Sequence, residues 1–366
     1  MEYQKRIEKV QRKIARHKLD AVLIGTPANR RFLCGYSAPD HGIGESAGML
    51  LVPAKGRVHL LTDFRFQLQA EAEAPSALVT LYPKGLLALL QAMLPDLEIK
   101  SLGFESDYTL HSFAGALEKK CTDLGIALHP LTGLVEGLRI TKEDAEIDLI
   151  RASVMLNEAV FQEIYSQIHP EQTELDVAIA IETCMRRKGA ECPSFETIVA
   201  TGSRSALPHA VPGRVRLLET QPLMIDMCLV RDGYCSDMTR TFPLGKASDR
   251  YLEIHRLVRK AQLAGIKAIR AGVTGRTVDR AARQTIADAG YGQYFGHALG
   301  HGVGIEVHED PRLSSRNGKQ LKAGMVVTVE PGIYIPGWGG IRLENMVVVR
   351  EDGCEVLNSD ATWLDI

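Results

Sequence analysis

Two histidines, His301 and His308, stand seven residues apart in the run Gly300-His301-Gly302-Val303-Gly304-Ile305-Glu306-Val307-His308-Glu309. Glu330 follows in Val327-Thr328-Val329-Glu330-Pro331-Gly332, and Glu344 in Gly340-Ile341-Arg342-Leu343-Glu344. Upstream, Asp226 ends an apolar run, Asp237 lies eleven residues further on, and a third histidine sits in Pro208-His209-Ala210. Four carboxylates gathered in one place raise one another's pKa, and burial raises it further. Two divalent cations would cancel their charge, and one imidazole would add a neutral ligand. Such a set suits manganese first, with zinc, cobalt or iron as alternatives. A metal pair lowers the pKa of a shared hydroxide and clamps an attacked carbonyl, which is hydrolase chemistry. Each residue alone has a plainer reading. An aspartate at a strand end commonly caps a turn, and Glu330 before Pro331-Gly332 suits the start of one. The metal reading rests on the combination.

The elements that must position these residues repeat in order. Thr141-Lys142-Glu143-Asp144 has the form of a capping box with Thr141 at the N-cap. Ile147, Ile150, Met155, Val160 and Ile164 lie on the helix that follows. Thr173-Glu174-Leu175-Asp176 starts a second helix, which Gly189 ends. Strands are expected at 197–200, 223–225 and 234–242. The order then recurs: helices from about 248 to 271 and from about 277 to 290, then strands at 303–307, 326–329 and 345–349. Each half thus ends with two acids on neighbouring strands. A hairpin between them would bring each pair onto one sheet face, because side chains alternate with period two.

Residues 1–132 read as a separate α/β domain. Ile7, Val10 and Ile14 mark an opening amphipathic helix. Short apolar strands, among them Ala21-Val22-Leu23-Ile24, alternate with helices, and Pro53-Ala54-Lys55-Gly56 reads as the turn of a hairpin. The scattered histidines His17, His41, His59, His111 and His129 make no constellation. A linker at 133–141 leads to a second domain, 142–366. The chain has 366 residues, is 45% apolar and 24% charged, and carries a net charge of -2, which gives no reason to expect nucleic acid or an anionic membrane as partner. No apolar run reaches the length of a bilayer span, and the amphipathic start does not resemble a signal peptide. Seven cysteines without paired spacing point to reduced thiols in a cytoplasmic protein. Cys228 and Cys235, beside the two aspartates, read as small buried residues in preference to soft ligands.

Nearly the whole chain resembles the creatinase/prolidase/aminopeptidase P family of pita-bread metallopeptidases. The first domain matches at 19–24, 32–36 and the linker Val135-Glu136-Gly137-Leu138-Arg139. The second matches at Pro193-Ser194-Phe195, Pro208-His209-Ala210, 232–241, Gly300–Gly304, Val307-His308-Glu309, Glu330-Pro331-Gly332 and Ile341-Arg342-Leu343-Glu344. The resemblance implies a creatinase-like α/β domain followed by an α+β pita-bread domain with pseudo-twofold halves. It implies that Asp226, Asp237, His301, Glu330 and Glu344 hold two divalent ions. Glu330 would also serve as acid/base, and His209 and His308 would hold the substrate and stabilise the tetrahedral intermediate. There are departures: Cys228 stands where the family usually has glycine, and Thr220-Gln221 replaces the usual Gly-Asp.

The resemblance further implies a homodimer acting on proline-containing di- or short peptides. Proline's amide lacks the N–H that general peptidases bind. Arg312, four residues after His308, resembles a position where prolidases place an arginine for the dipeptide carboxylate, and a guanidinium fork suits that group. The expected activity is therefore an Xaa-Pro dipeptidase, the alternative an aminopeptidase P cleaving longer Xaa-Pro-Xaa peptides. A creatinase-like amidinohydrolase or a non-enzymatic binding protein on this fold would not need the five ligand residues.

Overall fold

The computed structural model describes residues 2–366. The chain divides into two compact units, Met1–Arg139 and Ile140–Ile366. In the first, the apolar run Ala21–Ile24 is buried throughout; it pairs antiparallel with Met49–Pro53 and parallel with Ser101–Glu105. Around it forms a mixed six-stranded sheet in the order 77–81, 58–62, 49–53, 21–24, 101–105, 127–131. The expected hairpin is present, with Met49 opposite Leu61. Helix Tyr3–Arg16 buries Ile7, Val10 and Ile14, the stripe that its sequence period marks. Helix Pro27–Cys34 and strand Ala127–Leu131 were not expected. The short helix starts where Glu105 accepts the N–H groups of Gly25 and Thr26, a capping contact 79 residues away in sequence.

The second unit is built twice over from a helix pair on a small sheet. Helices Asp144–Tyr165 and Glu174–Arg187 pack Val160, Phe161, Val177 and Ile181 against Leu223, Ile225 and Phe242. Helices Asp249–Ala268 and Gly275–Asp288 pack Ile254, Val258, Val278 and Ala282 against Val327, Val329 and Val347. The first sheet runs in the order 238–243, 222–227, 198–201, and the second 309–313, 300–302, 326–329, 345–350, 353–356.

The first helix of this unit is capped by Glu143, not Thr141: Glu143 and Glu146 form the capping box, while Thr141 bridges to Met325. Thr173 does cap its helix through Asp176, and Gly189 follows its end with φ +97°. Residues 234–242 are not one strand; Tyr234–Cys235 and Met238–Pro243 belong to different sheets. Nor are 303–307 a strand. The strand is Gly300–Gly302, and a loop carries the chain from there to Glu309–Leu313. Glycine explains the position. A Cβ on Gly300 would fall inside the van der Waals shell of Thr328 O, and one on Gly302 inside that of Asp310 O, so only glycine lets this strand lie between its neighbours. Gly300→Ala and Gly302→Ala are each expected to destabilise the protein by about 1–3 kcal/mol through forced backbone displacement. Urea unfolding checks this, and a midpoint equal to wild type would contradict it.

Candidate metal centre

Strand register explains how the acids meet. Asp226 lies on strand Pro222–Met227 between Ile198 and Thr239, so its cross-strand neighbour is Thr239 and not Asp237. Asp237 precedes the adjacent strand by one residue, where the chain passes from one sheet to the next. In the other half, Val329 pairs with Asn345 and Gly332 with Arg342. Both pairs share one register, in which Glu330 faces Glu344 at the break between the two ladders. The halves join beside these residues: Glu344 N–H donates to Thr239 O, and Thr241 Oγ1 donates to Arg342 O. Asp226, Asp237, His301, Glu330 and Glu344 consequently line one cavity of about 470 Å³, together with His209, His308 and Arg312.

Within it, ligand atoms of Asp237, His301 and Glu344 all lie within 4.8 Å of one another. His301 Nε2 is 3.2 Å from Glu330 Oε1 and 3.6 Å from Asp237 Oδ2. Three buried oxygens, Asp226 Oδ1, Asp237 Oδ1 and Glu344 Oε1, have no hydrogen-bond donor among the described residues. Burial pushes Asp237 well above the usual carboxylate range, with Glu344 and Asp226 adding to it. Glu344 is pushed well up by burial and by Glu330, and Asp226 is also raised by burial, against the opposing pull of Arg342. Burial acts on Glu330 too, but the His301 hydrogen bond and the positive charges nearby outweigh it and hold Glu330 at about 2. Unsatisfied oxygens on mutually repelling carboxylates fit divalent cations, since each orphaned lone pair is a donor a hard metal accepts.

His301 and His308 stack edge to face with ring centroids 4.4 Å apart. Desolvation, with His301 and Arg312 adding charge, pushes His308 down to about 4, so its ring is neutral at neutral pH. His209 and Arg312 are exposed at the cavity, and the Arg312 guanidinium has no hydrogen-bond or ion-pair partner among the described residues. Cys228 and Cys235 are buried away from the cavity wall, with Cys228 Sγ against Ser194 Oγ.

Sequence reasoning assigned no role to Arg342. Its guanidinium donates to Asp226 Oδ2 at 2.6 Å, Thr239 Oγ1 at 3.1 Å and Tyr334 OH at 2.8 Å. Tyr334 in turn meets His297 Nε2 at 2.9 Å. Thr239 Oγ1 donates to Glu344 Oε2 at 2.7 Å, and Thr328 Oγ1 to Glu330 Oε1 at 3.0 Å. The contacts of Arg342 with Asp226, Thr239 with Glu344 and Thr328 with Glu330 each occupy one carboxylate oxygen and so restrict which way the other points. Arg342 had a readable signal: it stands two residues before Glu344, the spacing that shares a sheet face. For His297 no such signal exists.

Residues 148–351 match the model of metallopeptidase family M24, and residues 6–141 that of the creatinase/prolidase N-terminal domain. The chain belongs to metallopeptidase family M24. Among curated relatives, an Xaa-Pro dipeptidase of Pyrococcus horikoshii is 32% identical over 353 residues, covering 96% of each chain. Among solved structures, an Xaa-Pro dipeptidase from Bacillus anthracis superposes with a TM-score of 0.91 at 36% identity, covering 98% of both chains. An X-Pro aminopeptidase from Thermotoga maritima does so with a TM-score of 0.89 at 34% identity, covering 97% of both. The protein is thus a hydrolase of a family that implies divalent metal ions.

This M24 site makes a pH-dependent prediction. Carboxyls whose folded pKa is raised stabilise the metal-free protein below their unfolded value, and that contribution is lost as pH rises through the folded value. Asp226, Asp237 and Glu344 act in this sense. Glu330, held at about 2, opposes them only below the ordinary carboxylate range. Chelated protein should therefore lose thermal stability as pH climbs from about 4. Added divalent metal should raise Tm strongly at about pH 7.5 and little at about pH 5, where protons compete for the ligands. A metal-induced Tm gain that is equal at both pH values would contradict this.

Proposed function

We propose that this M24 enzyme hydrolyses the bond between an N-terminal residue and a following proline, and that its preferred substrate is an Xaa-Pro dipeptide. Asp226, Asp237, His301, Glu330 and Glu344 would hold two divalent ions, manganese first, with cobalt, zinc or iron as substitutes. When bound, the ions would supply a hydrolytic nucleophile and a Lewis acid for the peptide carbonyl. The chain's own groups do the rest. Glu330 accepts and returns a proton at its carboxylate, while Thr328 holds one of its oxygens. The neutral His308, and with it His209, donate hydrogen bonds to the substrate; both residues line the cavity. Phe195, Ile198, Pro208, Val211 and Pro212 give the same cavity an apolar wall that suits a pyrrolidine ring. The proposed location is the cytosol: all seven cysteines are free thiols, as a reducing compartment would keep them. Among the described residues, no helix is long and apolar enough to cross a membrane.

The observation that carries the dipeptide reading is Arg312. Its guanidinium is exposed, has no partner among the described residues and lies on the wall of a cavity rich in acids, which would suit a carboxylate that the substrate brings. The second reading, an aminopeptidase P acting on longer peptides, is favoured by likeness to the Thermotoga maritima X-Pro aminopeptidase. We further propose a homodimer involving the first unit, where Phe64 and Leu68, 82% and 81% exposed, leave apolar surface uncovered. Light scattering should give twice the chain mass, and an active monomer at all working concentrations would contradict the assembly.

Arg312→Ala separates the two activities. A charge-assisted bond is worth about 1.5–3 kcal/mol, so kcat/KM for Ala-Pro should fall roughly ten- to over a hundredfold. A tripeptide or an amidated dipeptide, with no carboxylate there, should be little affected. Arg312→Lys should recover part of the loss, since a point charge cannot reproduce the fork. Equal losses on both substrate types would refute the carboxylate role. A wide wild-type preference for the tripeptide would establish the aminopeptidase reading instead.

A further inference from the structure

The chain that carries His209 lies across the N-terminal end of helix Glu174–Arg187. Two of the helix's first N–H groups, which have no acceptor within the helix, donate to it: Glu174 N–H to Val215 O and Leu175 N–H to Gly213 O, both at 3.0 Å. The Glu174 side chain is fully buried and holds the same stretch in the opposite sense, as an acceptor. Its Oε1 accepts from Thr201 N–H at 2.9 Å and its Oε2 from Gly213 N–H at 3.0 Å, so the two backbone donors bracket His209 in the sequence. Arg204 Nε is 3.0 Å from both oxygens. The far end of that guanidinium donates from Nη2 to Val211 O at 2.7 Å, two residues past the histidine. On the near side, Arg342 Nη1 donates to Pro208 O at 3.2 Å, and Ala210 N–H to Leu207 O at 3.2 Å. The His209 imidazole itself is exposed at the cavity, so the backbone on either side of it sets where it stands.

We propose that Glu174 is a positioning residue for His209, acting through Arg204 and the backbone of the 201–213 stretch. The inference rests on the reading of His209 as a substrate contact. Each Glu174 oxygen faces N–H donors from two directions, and only a carboxylate offers an acceptor at both places. An amide in its place would turn an NH2 group toward Arg204 and toward Thr201 or Gly213, donor against donor. The stretch would then have to move off the helix end, and Arg204, without its counter-charge, would no longer be aimed at Val211 O. A displacement on the order of 1 Å in a positioned group can lower turnover by about a hundredfold.

A double-mutant cycle with manganese-loaded protein and Ala-Pro tests this. Glu174→Gln should lower kcat/KM by roughly ten- to a hundredfold, with bound manganese equal to wild type. In the His209→Ala background the same change should have little further effect, since the group it acts through is gone. Losses that multiply in the double variant, full activity in Glu174→Gln, or an activity loss that follows loss of manganese would overturn the proposal. If Glu174→Gln does not fold, Arg204→Lys is put through the same cycle and read in the same way. It keeps the charge beside Glu174 but cannot reach Val211 O at the same time. The His209 ring resonance in chelated protein, assigned by its absence in His209→Ala, gives a readout independent of turnover. It should shift in the Glu174 or Arg204 variant, and an unmoved resonance would overturn the proposal. Failure of the functional reading looks different: wild type would not cleave Ala-Pro, or His209→Ala would cleave it at the wild-type rate.

Discussion

Four carboxylates line one cavity, and their mutual repulsion is the constraint on which the rest of this structure depends. Asp237 and Glu344 are pushed well above their ordinary range by burial and by the neighbouring carboxylates. No assembly of strands gathers such groups for stability's sake, because replacing them with apolar residues would remove both the repulsion and the desolvation penalty. The fold therefore holds the acids against their own preference. It does so with rigid elements: Asp226 within a strand, and Asp237, Glu330 and Glu344 at strand ends, where the backbone is still fixed by the ladder.

The supporting cations are part of the same solution. Arg342 neutralises Asp226 on one side of the site. Arg240 is fully buried and donates to Glu344 O, Thr239 O and Asp360 O, tying the two halves of the catalytic unit at their seam. Burial pulls Arg240 down to about 10, and it remains a cation at neutral pH. These arginines contact carboxylate or carbonyl oxygens but leave Asp226 Oδ1, Asp237 Oδ1 and Glu344 Oε1 without donors among the described residues. Asp226 and Glu344 thus each have one oxygen held, by Arg342 and Thr239, and one without a donor, as the proposed metal site would require.

Much of this was legible in the sequence, for physical reasons. Residue type and spacing grouped the four acids with the histidines, because metal chemistry demands those side chains and period-two alternation lets neighbouring strands present them on one face, and the family resemblance singled out His301 among the histidines. The repeated order of helix pair and strands followed from hydrophobic periodicity. What escaped depended on tertiary contact. The pairing of Asp226 with Thr239 instead of Asp237 is a matter of register, which a two-residue break at Ser236-Asp237 decides. The strand expected at 303–307 is a loop because the Glu309 carboxylate, held by Lys142 from far upstream, draws the backbone around itself. Thr141 lost its capping role to Glu143 because it bridges to Met325, a partner nearly two hundred residues away. Local pattern has no access to any of these partners.

The central claim is that Asp226, Asp237, His301, Glu330 and Glu344 hold a pair of divalent ions. Anomalous X-ray diffraction at the manganese absorption edge, on crystals grown with manganese, tests it most directly. The account predicts two anomalous peaks in each chain, both within the cavity these five residues line. A single peak, or manganese located elsewhere with this cavity empty, would contradict it.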